Sequence, residues 1–217
     1  MARQVTRPVY LLSPTHREEV EHLPMIEFAI TADSIDFSVC DTLMFSSKQA
    51  VKSADAIDSS WRDYPCIAIG GATKKQIEML GGTVIYQPSL FYADVLSQDI
   101  ARLFSDKKLL YLRPKEVSFD SKGFLLDKGI ILEEQVIYET SCISYGIDDT
   151  PKKNAIIIFT SPSSIRCFLK NFSWDESYTA IVIGDATKVH LPKGADFVVA
   201  DRPLIDACVA KARELSL

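Results

Sequence analysis

The sequence predicts an α/β protein of two similar lobes, each a parallel sheet flanked by helices. Three observations carry this: an internal repeat at an offset of 114 residues, a second at an offset of 100, and short β-branched runs alternating with longer helical patterns. Repeats of this kind are the mark of a duplicated supersecondary unit. At the offset of 114, "LMFSSKQAV" (Leu43 to Val51) falls on "IIFTSPSSI" (Ile157 to Ile165). In the same register "CIAIGGATK" (Cys66 to Lys74) falls on "AIVIGDATK" (Ala180 to Lys188), then Val84 on Val198 and Leu90 on Leu204, with no insertion.

The runs Leu43 to Phe45, Ile67 to Ile69 and Val84 to Ile85 are expected strands of one copy. Ile156 to Phe159, Ile181 to Ile183 and Phe197 to Val199 are those of the other. Apolar runs set between helical patterns suit parallel strands covered on both faces. After Pro88 the residues Leu90, Phe91, Val95, Leu96, Ile100 and Leu103 form a helical stripe. Upstream of each copy, at the offset of 100, "PVYLLSP" (Pro8 to Pro14) resembles "LLYLRP" (Leu109 to Pro114). Each is expected to lead into a helix and then an extended segment, "MIEFAIT" (Met25 to Thr31) or "QVIYET" (Gln135 to Thr140). Their alternation of apolar and polar residues predicts strands with one wet face, joining lobes of about 100 residues each without a floppy tether.

Ser161 is a good helix cap followed by Pro162 at the first helical position, and Ser47 with Lys48 takes the same place in the other copy. In "IGGATK" and "IGDATK" the glycines Gly70 and Gly184 are expected to permit a tight strand-to-helix turn, with Thr73 or Thr187 in the first helical turn. Each lobe thus aims two helix starts off the carboxyl ends of parallel strands, where ligands bind in open α/β sheets. An exposed helix start favours an anion by about 0.3–1 kcal/mol. Lys48, Lys74 and Lys188 stand near these turns. A ligand with several separated carboxylates suits such an arrangement. A lone serine before a helix is more often a cap than a ligand site, so the turns alone do not choose the ligand.

The composition removes several classes. Of the 217 residues 47% are hydrophobic and 24% charged, with a net charge of −5 and no basic arm, which argues against nucleic acid as the main partner. No run of about 18 apolar residues exists, so no membrane span is expected. The opening "MARQVTRPVYLL" lacks a signal peptide's apolar core, and a cytoplasmic location is expected. The cysteines at 40, 66, 142, 167 and 208 are scattered, without CxxC, and read as free buried thiols rather than a zinc site or disulfide framework. No P-loop, GxGxxG fingerprint or GxSxG elbow is present. Asp148 and Asp149 lie in a polar stretch and read as a solvated loop; His190 reads as a surface residue at the end of a short helix.

Two α/β lobes, "FTSPSS" and "IG.AT" turns, a mid-chain "LRP" strand and the tyrosine of "VIYET" together resemble the uroporphyrinogen-III synthase family over essentially the whole chain. The resemblance implies two flavodoxin- or Rossmann-like lobes joined by a two-stranded β linker. The first would hold residues 1–31 and 140–217, the second 35–136, with linker strands at 25–34 and 135–144. It implies a hydro-lyase that closes hydroxymethylbilane with inversion of the last ring and loss of water, with no cofactor or metal. A small-molecule substrate and a monomer are expected. Carried over by motif, Ser47, Thr73, Ser161 and Thr187 contact the substrate, and Tyr138 is the catalytic candidate, a phenol hydrogen-bonded to the departing hydroxyl. Gly70, Gly184, Lys48, Lys74 and Arg113 complete the expected binding set. The chain departs from the family pattern at "YLLSP", where an arginine commonly precedes the proline; Arg7 lies earlier, before the strand. Lys48 also stands where the family's serine–proline turn has proline. The alternative from another class is a non-catalytic two-lobe binding protein for an anionic metabolite.

Overall fold

The computed structural model of the chain describes residues 7–90 and 92–216. Residues 1–6, where the signal-peptide pattern is missing, and Phe91 of the helical stripe lie outside the described residues. Two compact units form, one from residues up to Glu27 and from Ser141 onward, the other from Phe28 to Thr140.

In the first unit β1 (Val9–Leu11), β2 (Glu21–His22), β9 (Ile156–Phe159), β10 (Thr179–Val182) and β11 (Asp196–Val199) build one sheet in the order β2-β1-β9-β10-β11. All its neighbours run parallel. Period-two alternation covers both faces. Ile157 and Phe159 pack with Ile165 and Phe168 of α5 (Pro162–Asn171). Ile156 and Ile158 pack with Cys208, Val209 and Ala212 of α7 (Ile205–Ser216). α6 (Asp185–Lys188) is a single turn after β10. Side chains fully buried in this way each contribute about 1.5–3 kcal/mol.

The second unit repeats the order. β4 (Thr42–Phe45), β5 (Pro65–Ala68), β6 (Thr83–Tyr86), β7 (Leu109–Pro114) and β8 (Leu132–Cys142) align as β8-β7-β4-β5-β6 in parallel. β3 (Ile26–Ile30) is added beyond β8. Leu43 and Phe45 face α1 (Lys48–Ile57) and α2 (Gly71–Met79), while Met44 faces α3 (Ala93–Leu103) and α4 (Ser121–Leu126). Trp61 is fully buried beneath Gly82, where a Cβ would lie 2.4 Å from its ring; only glycine fits there. The chain passes between the units twice, in β3 and β8. These two run antiparallel, for Thr31 N–H donates to Ile137 O and Ile143 N–H to Met25 O.

Both repeat offsets reappear as strand register. Val9 pairs with Ile156 as Leu109 pairs with Thr42, so positions 100 apart in β1 and β7 and 114 apart in β4 and β9 occupy equivalent places. Several expectations are corrected. No helix follows β1: the stretch between Pro14 and Pro24 offers only Val20 and Leu23 as apolar residues, too few for a buried stripe, and forms turns and β2. The stripe after Pro88 starts at Ala93, leaving Leu90 outside the helix and 57% exposed. Cys142 and Cys167 are not free thiols but a disulfide with Cα atoms 5.2 Å apart, because α5 packs Cys167 onto the end of β8. Cys40, Cys66 and Cys208 are free. No helix among the described residues is long and apolar enough to cross a membrane.

Candidate functional site

In each unit the turns that leave the two central strands lie side by side at the carboxyl edge. Ile69 N–H donates to Phe45 O and Ile183 N–H to Phe159 O, each at 3.0 Å. Ser47 has extended backbone, and its Oγ accepts from Ala50 N–H at 3.0 Å to cap α1. Ser161 does the same for α5, accepting from Ser164 N–H at 3.2 Å, with Pro162 at the first helical position.

Gly70 and Gly184 cap α2 and α6 with φ of −170° and 177°. That extended backbone is open to any residue, so the expectation that these turns need glycine for their conformation is corrected. Thr73 and Thr187 are buried, 4% and 3% exposed, as is Tyr138 at 4%. Among the four helix starts α6 offers an anion least: it has one turn and opens with Asp185. Lys48 is exposed. Lys74 lies 3.8 Å from Glu78, and Lys188 lies 3.6 Å from Asp185 with its ammonium over the Phe197 ring. Arg7 sits at the other end of its sheet, donating to Asn154 O and Thr179 Oγ1, where it braces the amino ends of β9 and β10. His190 is exposed just past α6, and Asp148 and Asp149 lie in an exposed single turn.

The second unit adds phenols to this edge. Tyr138 Oη lies 2.9 Å from Ser47 Oγ, although 91 residues separate them. Tyr111 Oη donates to Ser46 Oγ at 2.5 Å, so each of the two successive serines holds a tyrosine. Phe28 meets the Tyr138 ring edge-on at 5.9 Å. Burial pushes the Tyr138 phenol above its ordinary range, partly offset by the Ser47 hydrogen bond; Tyr111 is raised by burial in the same way. Both therefore stay protonated at neutral pH, each with an O–H to give, and neither serves as a base.

A one-residue bulge places Tyr138. Arg113 pairs with Val136, but Pro114 pairs with Tyr138, leaving Ile137 as the extra residue. Arg113 Nη1 donates to Pro114 O at 3.0 Å and Lys115 O at 3.1 Å. Its Nε lies 3.1 Å from Glu134 Oε2, an ion-pair contact in which the buried N–H is not aligned on the carboxylate. Of the expected site residues, then, Ser47 and Tyr138 are brought together, and Arg113 adjoins Tyr138 across the bulge. Tyr111 and Ser46 escaped the sequence reading; the signal was an aromatic residue in the otherwise aliphatic "LLYL".

Fold and site together define a two-unit, parallel-sheet α/β protein with hydroxyl-bearing turns, and in one unit phenols, at the strand ends where small polar ligands bind. Over residues 15–210 the chain matches the family described as Uroporphyrinogen-III synthase HemD. It is similar to the crystal structure of uroporphyrinogen-III synthetase from Helicobacter pylori 26695, with 27% identity, 96% of this chain and 99% of that chain covered, and a TM-score of 0.81. A mutant uroporphyrinogen III synthase from the extremely thermophilic bacterium Thermus thermophilus shares the fold at 9% identity, covering 96% and 98% of the two chains with a TM-score of 0.58. No curated protein sequence matches the chain. The chain belongs to the uroporphyrinogen-III synthase family, a family of enzymes of tetrapyrrole biosynthesis. Nothing in these comparisons favours the non-catalytic binding role.

Proposed function

We propose that this chain closes hydroxymethylbilane into uroporphyrinogen III, inverting the last pyrrole ring and releasing water, with Tyr138 at the departing hydroxyl. The Ser47–Tyr138 pair, 2.9 Å apart at the carboxyl edge of a parallel sheet, carries the assignment of the chemistry. The two hydroxyls hold two protons. Ser47 Oγ already accepts from Ala50 N–H. If Tyr138 donates to Ser47, the serine proton is left for the substrate; if Ser47 donates, the phenol proton is left. Either way one O–H is left to donate, and donation to the hydroxymethyl oxygen eases C–O cleavage as that oxygen leaves in water.

In the second unit the amide-rich starts of α1 and α2 suit the substrate's acetate and propionate groups, with Ser47, Gly70 and Thr73 shaping the turns and Lys48 and Lys74 adding positive charge; in the first unit the start of α5 at Ser161 offers the same chemistry. Gly184 and Thr187 form the shorter fourth turn. Free bilane closes without inversion, so the protein's main task is to hold the chain folded with its last ring turned; orientation effects of this kind are large. One small molecule is consumed and no second macromolecule is needed, so a cytoplasmic monomer suffices.

The test is to supply freshly made hydroxymethylbilane and separate the products by isomer. The inverted isomer is expected to dominate over the no-protein control. Accumulation of the uninverted isomer alone overturns the proposal.

A further inference from the structure

We infer that Arg113 is a positioning residue: it holds the bulge in β8 and so keeps the Tyr138 phenol aimed at Ser47. The inference rests on the reading of Tyr138 given above and goes beyond it to what sets that side chain's direction.

Strand alternation alone puts Tyr138 on the wrong face. Leu132, on the same face as Glu134 and Val136 by period two, packs with the α3 and α4 cluster. A regular β8 would send Tyr138 there too. Instead Ile137 and Tyr138, successive residues, both pack with Leu110, Leu112 and the α1 cluster, the side on which Ser47 lies. One extra residue in a strand does this, and bulges re-aim side chains beside active sites.

The neighbouring strand follows the slip. Lys115 N–H, one residue past Pro114 on β7, donates to Tyr138 O at 2.9 Å, where an unshifted register would give it Ile137 O. The Arg113 guanidinium spans this step, holding the carbonyls of Pro114 and Lys115 by Nη1 and facing Glu134 on β8 by Nε. It therefore ties together the strand segments on both sides of the extra residue. Its side chain is only 19% exposed and that of Glu134 16%, so this charge is spent inside the unit.

The other unit carries different groups at these places. By the registers of the two sheets, Ser13 stands where Arg113 does and His22 where Glu134 does, while Pro14 matches Pro114. That unit has the proline but no arginine clamp, and Leu11 stands in the place of Tyr111.

The experiment compares Arg113→Lys, Arg113→Gln, Glu134→Gln, Tyr138→Phe and the double variant Arg113→Gln with Tyr138→Phe, measuring kcat and KM for hydroxymethylbilane separately. Lysine keeps the charge but lacks the fork that grips two carbonyls. A positioning role predicts that Arg113→Lys loses kcat by about 10- to 100-fold with KM little changed, and that Glu134→Gln shares part of the loss. It also predicts that Arg113→Gln adds no further loss on the Tyr138→Phe background. Raised KM with kcat intact, rescue by lysine, or multiplying losses in the double variant overturns it. Wild-type kcat in Tyr138→Phe instead overturns the reading of Tyr138 itself. Should Arg113→Gln not fold, Arg113→Lys and Glu134→Gln, checked by circular dichroism, decide by the same kcat and KM split.

Discussion

Ser47 does two jobs with one oxygen, closing the first turn of α1 and meeting the Tyr138 phenol. The two jobs separate under mutation. Ser47→Ala removes a cap, which costs about 1 kcal/mol, yet leaves the phenol free to reach substrate. Tyr138→Phe removes one net hydrogen bond, about 1 kcal/mol, but takes away the proton donor. Turnover is thus expected to fall about 100-fold in Tyr138→Phe, with a melting shift of about 2–4 °C, while Ser47→Ala shows a comparable melting shift and the smaller loss of turnover. Paired melting and rate measurements check this; a shifted melt with unchanged rate in Tyr138→Phe removes its catalytic role. The caps at Ser47 and Ser161 were legible because capping is local chemistry. The approach of Tyr138 to Ser47 was not, since it depends on a register slip opposite Pro114 that no pattern within β8 announces.

Strands were legible to within a residue or two wherever apolar runs were continuous, because a strand buried on both faces needs every position apolar. Ile156–Phe159 matches the expected run, and Thr42–Phe45 adds one residue to it. Helices were legible where a stripe had a partner layer, as for α3, whose Leu96 and Ile100 are buried. They were overestimated where the chain was polar and short, as after β1. The disulfide was illegible for another reason: Cys142 closes a strand and Cys167 lies within a helix 25 residues on, and only packing brings them together. A closed loop of that size stabilises by about 3–4 kcal/mol in the chain-entropy account. Cys142→Ser is expected to lower the melting temperature by roughly 10 °C, and a reductant to have the same effect on the unmodified protein and none on the variant. Ready alkylation of both sulfurs in the native protein without reductant would show that the staple is not formed.

Duplication gave both units one strand order, one register and paired turns, but they have diverged in chemistry. Thr160 stands where Ser46 does, Leu11 where Tyr111 does, and Ser13 where Arg113 does, so the phenols and their clamp belong to the second unit. What the units still share is dry parallel sheets that bury groups needing their protons. Cys66, in β5, donates its thiol hydrogen to Tyr64 O and is pushed by burial from 9.0 to about 12. Cys208, in α7 of the first unit, is pushed to about 11, again chiefly by burial. Tyr111 and Tyr138 are raised by the same cause from 10.0. Every one of these shifts is upward, so the folded protein binds more protons than the unfolded chain between the two values. By linkage the stability is then fully present below the unfolded value and declines as pH climbs through the folded one. The window opens near pH 9.0 with the thiols and near 10.0 with the phenols, and closes for Cys66 at about 12. Denaturant midpoints followed from neutral pH upward should therefore hold level and then fall above pH 9.0. Cys66→Ala, which creates a small cavity but has nothing to titrate, should start lower and fall less steeply over that window. Parallel alkaline limbs for the two proteins would mean the Cys66 thiol meets water in the folded state, and that the face of β5 toward α1 and α2 is not dry.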